Sequence, residues 1–342
     1  MSVPAGVLEL LREMIDTPST TGDEAGIAAI LERELERDGY RVTRQEVLPG
    51  RDNLLAVRDG ETPRLFFSTH IDTVPPFLPY RREGDTIYGR GACDTKGGIV
   101  AMLEAGRRLR AKGASAFGFL FVVGEEVDHS GAKAAAKLPI STRDIVLCEP
   151  TVCRVIAAQK GVVKVRLDAE GRAAHSGFPH RGVSAVDRLL VTLETLRHLE
   201  WPRHDVLGET FFNVGLIAGG VAANVLAPAA SAELMFRTVG PTSEILAAID
   251  ASLVDGVRRT VLTENGPELF DLPDGYETGV ANFNTDASFL KSLGRILLVG
   301  PGDIEVAHSS NEHITVEQIA LGIDLYERLG AELLDGGAVD VE

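Results

Sequence analysis

The sequence predicts an α/β sheet protein with a second, smaller unit inserted into its chain, and three observations lead there. Short apolar runs alternate with helix-patterned segments through the first half, the pattern of a sheet covered by helices. A middle stretch reads strand, helix, strand, strand, helix, strand, which is a ferredoxin-like βαββαβ order. Acid and histidine residues that read together as one centre come from both sides of that stretch, so the two flanks must fold as one domain. At 342 residues the chain exceeds the size at which a single core stops growing, and two domains are expected.

In chain order, apolar residues recur at helical spacing from Val7 to Asp38, interrupted by Thr17-Pro-Ser-Thr-Thr-Gly, which predicts two helices around a turn. The next stretch is strand-like, with short apolar runs at Asn53 to Val57, Arg64 to Ser68 and Gly118 to Val123; a helix is read at Gly98 to Ala111. The inserted unit is then Val162 to Glu170 (strand), Val183 to Leu199 (helix), Phe211 to Ile217 and Ala232 to Val239 (strands), Thr242 to Val257 (helix) and Glu268 to Leu272 (strand). Helices at Ala287 to Leu293 and Val316 to Leu334 enclose a strand at Arg295 to Val299, and the tail from Asp335 is expected to fray. These readings place the sheet domain at 1–161 and 275–342 and the insertion at 162–274.

Composition excludes several function classes. A net charge of −16 disfavours nucleic acid and anionic membranes, which require clustered Lys and Arg. No apolar run approaches the roughly 20 residues needed to cross a bilayer. Cys93, Cys148 and Cys153 form no CxxC pair and are read as small buried thiols in a reducing compartment. With no basic and apolar leader at the N-terminus, a cytoplasmic protein is expected.

The chemistry lies in His70-x-Asp72, Asp94 within Gly89-Arg-Gly-Ala-Cys-Asp-Thr-Lys-Gly-Gly, the pair Glu125-Glu126, Glu149 in Cys-Glu-Pro-Thr, and His308 in Ala-His-Ser-Ser-Asn-Glu. Imidazole and carboxylate are the usual zinc ligands of hydrolytic sites, and two ions about 3.5 to 4 Å apart need a bridging carboxylate. Asp94, in a glycine-flanked loop, is the natural bridge. Asp72 is placed to accept the second N–H of His70. Adjacent Glu125 and Glu126 point in different directions at a strand end, so one can bind metal while the other reaches the attacking water. Each fragment alone is common on surfaces; in this order and together they are specific. Gly89-Arg-Gly-Ala-Cys-Asp lacks the third glycine of a dinucleotide fingerprint.

On these motifs, with Ser68-Thr-His-Ile-Asp-Thr-Val, Ala174-His, Ala223-Asn-Val and Phe236-Arg, the chain resembles the M20 metallopeptidase and deacylase family over nearly its whole length. The family contains acetylornithine deacetylase, succinyl-diaminopimelate desuccinylase and glutamate carboxypeptidase. The resemblance implies a mixed-sheet zinc-hydrolase catalytic domain with an inserted ferredoxin-like dimerisation domain. It implies two zinc ions per subunit, with cobalt and manganese as compatible substitutes. His70, Asp94 and Glu149 would hold one ion, and Asp94, Glu126 and His308 the other. It further implies Glu125 as general base and then acid, Asp72 behind His70, a cis peptide between Asp94 and Thr95, and Lys96 as a support of that loop. His175 matches the family's oxyanion-stabilising histidine, Arg237 and Asn224 match substrate-carboxylate contacts, and Thr285-Asp286 and Gly300-Pro-Gly302 match pocket-lining segments. His129 departs from the small or acidic residue expected there.

Glu149 resembles the choice of the deacylase and carboxypeptidase branches, where aminopeptidases tend to carry aspartate. The first expectation is therefore an N-acyl-amino-acid deacylase serving amino-acid biosynthesis, acting on a small substrate as a homodimer. The alternatives are a carboxypeptidase or dipeptidase, release of an amino acid from a carrier protein, and a non-catalytic metal-binding relative. An acidic carrier would be repelled by a chain at −16, and a relative without activity would be expected to have lost Glu125 or a ligand.

Overall fold

A computed structural model describes residues 3–335; the expected frayed tail, beyond Asp335, lies outside the described residues. The chain forms two compact units, Met1–Ala157 with Phe270–Gly279 and Thr285–Glu342, and Ala158–Leu269 with Val280–Asn284. Strands Val155–Gln159 and Thr278–Ala281 each run from one unit into the other, which puts the division inside strands and not at loops.

The larger unit is built on a six-stranded mixed sheet in the order Arg41–Leu48, Arg51–Val57, Phe117–Val122, Leu65–His70, Asp144–Leu147, Arg295–Leu298. The last four strands are mutually parallel, and the first two are antiparallel additions at one edge. Leu65–His70 and Phe117–Val122 are buried at every position, as strands covered on both faces must be. Helix Gly97–Ala111 makes the crossover between them. Phe67, Phe117 and Phe119 pack on one another, and Tyr326 of the long helix Val316–Asp335 meets Phe67 edge-on at 6.0 Å. Gly98 lets helix and sheet close up, because a Cβ there would lie 2.2 Å from the Cys148 sulfur.

The short strand Asp144–Leu147 is not legible in the sequence, since four residues carry no periodicity. It matters because Glu149 follows it.

The smaller unit is a four-stranded antiparallel sheet in the order Phe211–Gly219, Ala229–Thr238, Gly161–Glu170, Val257–Asn265. Helices Ala185–Arg197 and Thr242–Ser252 pack through Leu189, Leu193, Ile245 and Ile249 onto a face formed by Val163, Val165, Leu234 and Phe236. Trp201 completes this core against Phe236 at 5.2 Å, a packing role. The βαββαβ order is present with one correction. Its last strand is Val257–Asn265, where the sequence pattern continues a helix to Val257 and places the strand at Glu268 to Leu272. Arg258, Arg259 and Glu264 hide the period-2 signal, and Val261 and Leu262 are exposed on a strand whose outer positions face solvent. Glu268–Leu269 pairs instead with Gln159 and Ala158.

Candidate metal centre

The parallel strands of the larger sheet deliver site residues at their carboxyl ends, where open α/β sheets place ligands. His70 is the last residue of Leu65–His70, and Glu149 follows Asp144–Leu147 by two residues. Glu125 and Glu126 follow Phe117–Val122 through Gly124, whose φ of 77° turns the chain sharply and whose hydrogen leaves room for Ser130. Asp94 sits in the irregular turn Ala92–Lys96 ahead of helix Gly97–Ala111, with non-helical φ and ψ and a cis bond to Thr95.

Asp94 faces two histidines at once. Its Oδ1 lies 3.1 Å from His70 Nε2 and its Oδ2 lies 3.2 Å from His308 Nε2, which is also 3.0 Å from a Glu126 oxygen. Two triads result, His70, Asp94, Glu149 and Asp94, Glu126, His308, each with its ligand atoms within 4.8 Å of one another. One nitrogen and two carboxylate oxygens per triad, with Asp94 common to both, is a donor set suited to two divalent ions and leaves positions open on each.

The electrostatics call for positive charge. Burial, with Glu125 and Asp94 adding to it, pushes the Glu149 carboxyl well above the usual carboxylate range. Burial likewise raises Glu125 far above that range, His70 opposing and Asp286, Glu126 and Asp94 adding to the rise. Glu126 is raised by burial against the pull of His308. Asp94 goes the other way: burial opposes its ionisation, but hydrogen bonds from His308 and His70 hold it well below its ordinary value. His308 rises to about 10 because Asp94 and Glu126 both accept from it. Carboxylates this crowded ionise together only when cations share the space, so the residues fit the metal pair.

A model of the peptidase family M20/M25/M40 matches residues 66–332. The chain belongs to this family. A peptidase M20 domain-containing protein of Schizosaccharomyces pombe is 35% identical, with 96% of this chain and 85% of that one covered. A probable carboxypeptidase of Aspergillus clavatus is 32% identical, with 94% and 81% covered. The fold is similar to the crystal structure of a tripeptidase from Staphylococcus aureus, with a TM-score of 0.80 at 21% identity over 98% of each chain. As an M20 family member the protein is a metal-dependent hydrolase of amide or peptide bonds.

The supports of this M20 centre differ in part from the sequence-based expectation. The second nitrogen of His70 donates to the main-chain carbonyl of Asp72 at 2.9 Å, while the Asp72 carboxylate stands 3.6 Å away, beyond hydrogen-bond reach. That carboxylate is engaged elsewhere: it accepts the main-chain N–H of Glu125 at 3.1 Å, that of Glu126 at 3.3 Å, and the Thr21 hydroxyl at 2.7 Å. Asp72 therefore fixes the imidazole through its backbone and the glutamate turn through its side chain.

Glu312 closes the motif that begins at Ala307-His, and it holds the backbone of Asp94 in place. Its Oε1 accepts the N–H groups of Cys93 and Asp94, each at 3.2 Å, and it forms a buried ion pair with Arg90. The signal available in the sequence is its spacing, four residues after His308. Lys96 supports the same loop from below, donating to the carbonyls of Met14 at 2.9 Å and Thr17 at 3.1 Å. The turn Thr17 to Gly22 thus reaches the centre through both Lys96 and Asp72.

His129 donates from Nδ1 to Asp286 at 2.9 Å and lies 3.6 Å from Glu125. Thr285 is fully buried and its hydroxyl accepts the N–H of Ala287 at 3.2 Å. Gly302, at φ 91°, packs against Cys93, whose sulfur a Cβ would meet at 2.7 Å. His175, Asn224 and Arg237 belong to the smaller unit. His175 and Val225 form an isolated bridge, Ser176 N–H donates to the Asn224 carbonyl, and half-buried Arg237 lies opposite Phe211 and Val162 in the sheet register. His180, His198, His204 and His313 enter neither triad.

Proposed function

We propose that this M20 protein cleaves the amide bond of a small substrate bearing a free carboxylate, as a carboxypeptidase or dipeptidase with two zinc ions per subunit. The observation that carries the reading is Asp94, whose two oxygens face His70 and His308 from opposite flanks of the insertion while Glu125 stands beside them. The name of the Aspergillus relative moves the peptidase ahead of the deacylase, which the sequence alone places first.

In this reading His70, Asp94 and Glu149 hold one ion and Asp94, Glu126 and His308 the other. When bound, the ions lower the pKa of water and polarise the scissile carbonyl. Glu125 takes a proton from the attacking water onto a carboxylate oxygen and delivers it to the leaving nitrogen. Asp72 holds the backbone from which Glu125 projects. His175 donates to the developing oxyanion, and Arg237 with Asn224 takes the substrate carboxylate, a task suited to a planar guanidinium. Thr285 and Gly302 shape the neighbouring backbone. A homodimer through the smaller unit is also proposed, supported by the edge strand Phe211–Gly219, which exposes Leu216 and Ile217 at 63% and 58%. No helix among the described residues is long and apolar enough to cross a membrane, and the unpaired thiols suit a cytoplasmic setting.

The second reading is an N-acyl-amino-acid deacylase, which glutamate at position 149 suits as well as it suits a carboxypeptidase, since both branches resemble that choice. The deciding experiment is amine release from C-terminal dipeptides and from N-acetyl and N-succinyl amino acids, using zinc-loaded protein with and without chelator. Chelator-sensitive cleavage of dipeptides alone establishes the first reading, and of acylated amino acids alone the second. Cleavage of neither class sinks both.

A further inference from the structure

Beyond the two triads of the metal pair, the larger unit holds a third of the same composition: Glu125, His129 and Asp286, with ligand atoms within 4.8 Å of one another. The proposed reaction uses Glu125 and leaves the other two without a task. We propose that this triad is a third divalent-cation site, filled by zinc in excess, and that its occupation withdraws Glu125 from catalysis.

The geometry matches that of the first two triads. A tetrahedral zinc with bonds near 2.0 to 2.1 Å separates its ligands by about 3.3 Å. His129 Nδ1 lies 2.9 Å from Asp286 Oδ1 and 3.6 Å from Glu125 Oε1, which brackets that value. The corresponding separations at the metal pair are 3.1, 3.2 and 3.0 Å.

A second observation is independent of the clustering. Asp286 is 1% exposed, and its Oδ2 has no hydrogen-bond partner among the described residues. A buried carboxylate oxygen without a donor is costly, and native interiors rarely tolerate one without an ion or water. His129 is also held ready to ligate. It heads the short helix Ser130–Ala135 with φ 56°, and its ring lies 5.3 Å from Phe289, three residues beyond Asp286.

Binding has a defined proton balance. The ion takes the Nδ1 lone pair, so the proton that Nδ1 donates to Asp286 leaves that nitrogen: a neutral ring changes to its Nε2–H tautomer with no net release, and an imidazolium gives the Nδ1 proton to solvent and keeps the one on Nε2. Two ions already present repel a third, so this site fills last. Its inhibitory effect rests on the proposed role of Glu125 as base: an oxygen coordinated to zinc no longer accepts a proton from water. Activity should therefore rise and then fall as free zinc increases.

The test is equilibrium dialysis of the full chain against buffered free Zn2+, alongside hydrolysis of the substrate found by the amine-release panel. Wild type is expected to bind three zinc ions per subunit at excess zinc, and His129→Ala and Asp286→Asn two. Relative to each protein's own maximum, excess zinc should lower wild-type activity by roughly tenfold or more and leave the variants within about twofold. Saturation of wild type at two ions, or three ions in both variants, overturns the site. Should one variant lose the first pair of ions by misfolding, the other decides. Should wild type cleave nothing in the panel, both proposed substrate readings fail, while the number of zinc ions bound by wild type and variants still decides the third site.

Discussion

The carboxylate of Asp72 accepts the main-chain N–H of Glu125 at 3.1 Å, so a residue that follows one sheet strand sets the direction in which the glutamate after the neighbouring strand projects. Asp72 Oδ2 adds the amide of Glu126, and Thr21 closes the network. Burial opposes the charge on Asp72, yet the nearby His70 ring, the Thr21 hydroxyl and the Glu125 amide hold it below the ordinary carboxylate value and keep it an acceptor. Replacement by Asn retains the shape and weakens two amide contacts. Asp72→Asn is expected to lower kcat by about 10- to 100-fold with little change in KM. A changed KM at constant kcat would show that Asp72 serves binding and not the position of Glu125.

Glu125 itself makes no ligand contribution to the metal pair in this scheme. Glu125→Gln should retain both tightly bound ions, measured by metal analysis after dialysis, and lose about 10²- to 10⁴-fold in turnover. Loss of an ion together with turnover would place Glu125 among the ligands.

The Arg90–Glu312 pair is nearly sealed from solvent, with side chains 3% and 1% exposed. Removing one partner leaves a buried charge and frees the amides of Cys93 and Asp94. Glu312→Ala is expected to reduce unfolding free energy by about 3 to 5 kcal/mol, read by urea denaturation of metal-free protein. A loss under about 1 kcal/mol would mean that water reaches Arg90 and that the pair is a surface bridge in effect.

Chelation should destabilise the larger unit, because Glu149, Glu125 and Glu126 are then left buried beside one another. Returning zinc to about 100 times its dissociation constant restores about 2.7 kcal/mol per site by mass action, visible as a rise in Tm. A Tm indifferent to zinc would argue that the triads do not bind it in the folded state.

Arg237→Ala should raise KM for carboxylate-bearing substrates, with a smaller effect on kcat. An equal KM for a substrate and its amidated counterpart, in wild type and variant alike, would remove Arg237 from substrate recognition.

Periodicity and motif spacing determined the alternation of strands and helices, the insertion, and the metal-site character of His70, Asp94, Glu125, Glu126, Glu149 and His308; the family followed from the resemblance of those motifs to known members. Those features are local or carried by residue identity, and hydrophobic pattern and ligand chemistry report both. What lay outside reach was set by partners far along the chain. Asp144–Leu147 is too short to show a period and becomes a strand only because Leu65–His70 and Arg295–Leu298 flank it. Val257–Asn265 reads as a charged segment until Gly161–Glu170 pairs with it. The Asp72 carboxylate turns from His70 to Glu125, Glu312 reaches Asp94 from 218 residues away, and His129 finds Asp286, because hydrogen-bonding groups buried by folding must take whatever donor or acceptor the packed chain brings within about 3 Å. Only the tertiary structure decides which groups those are.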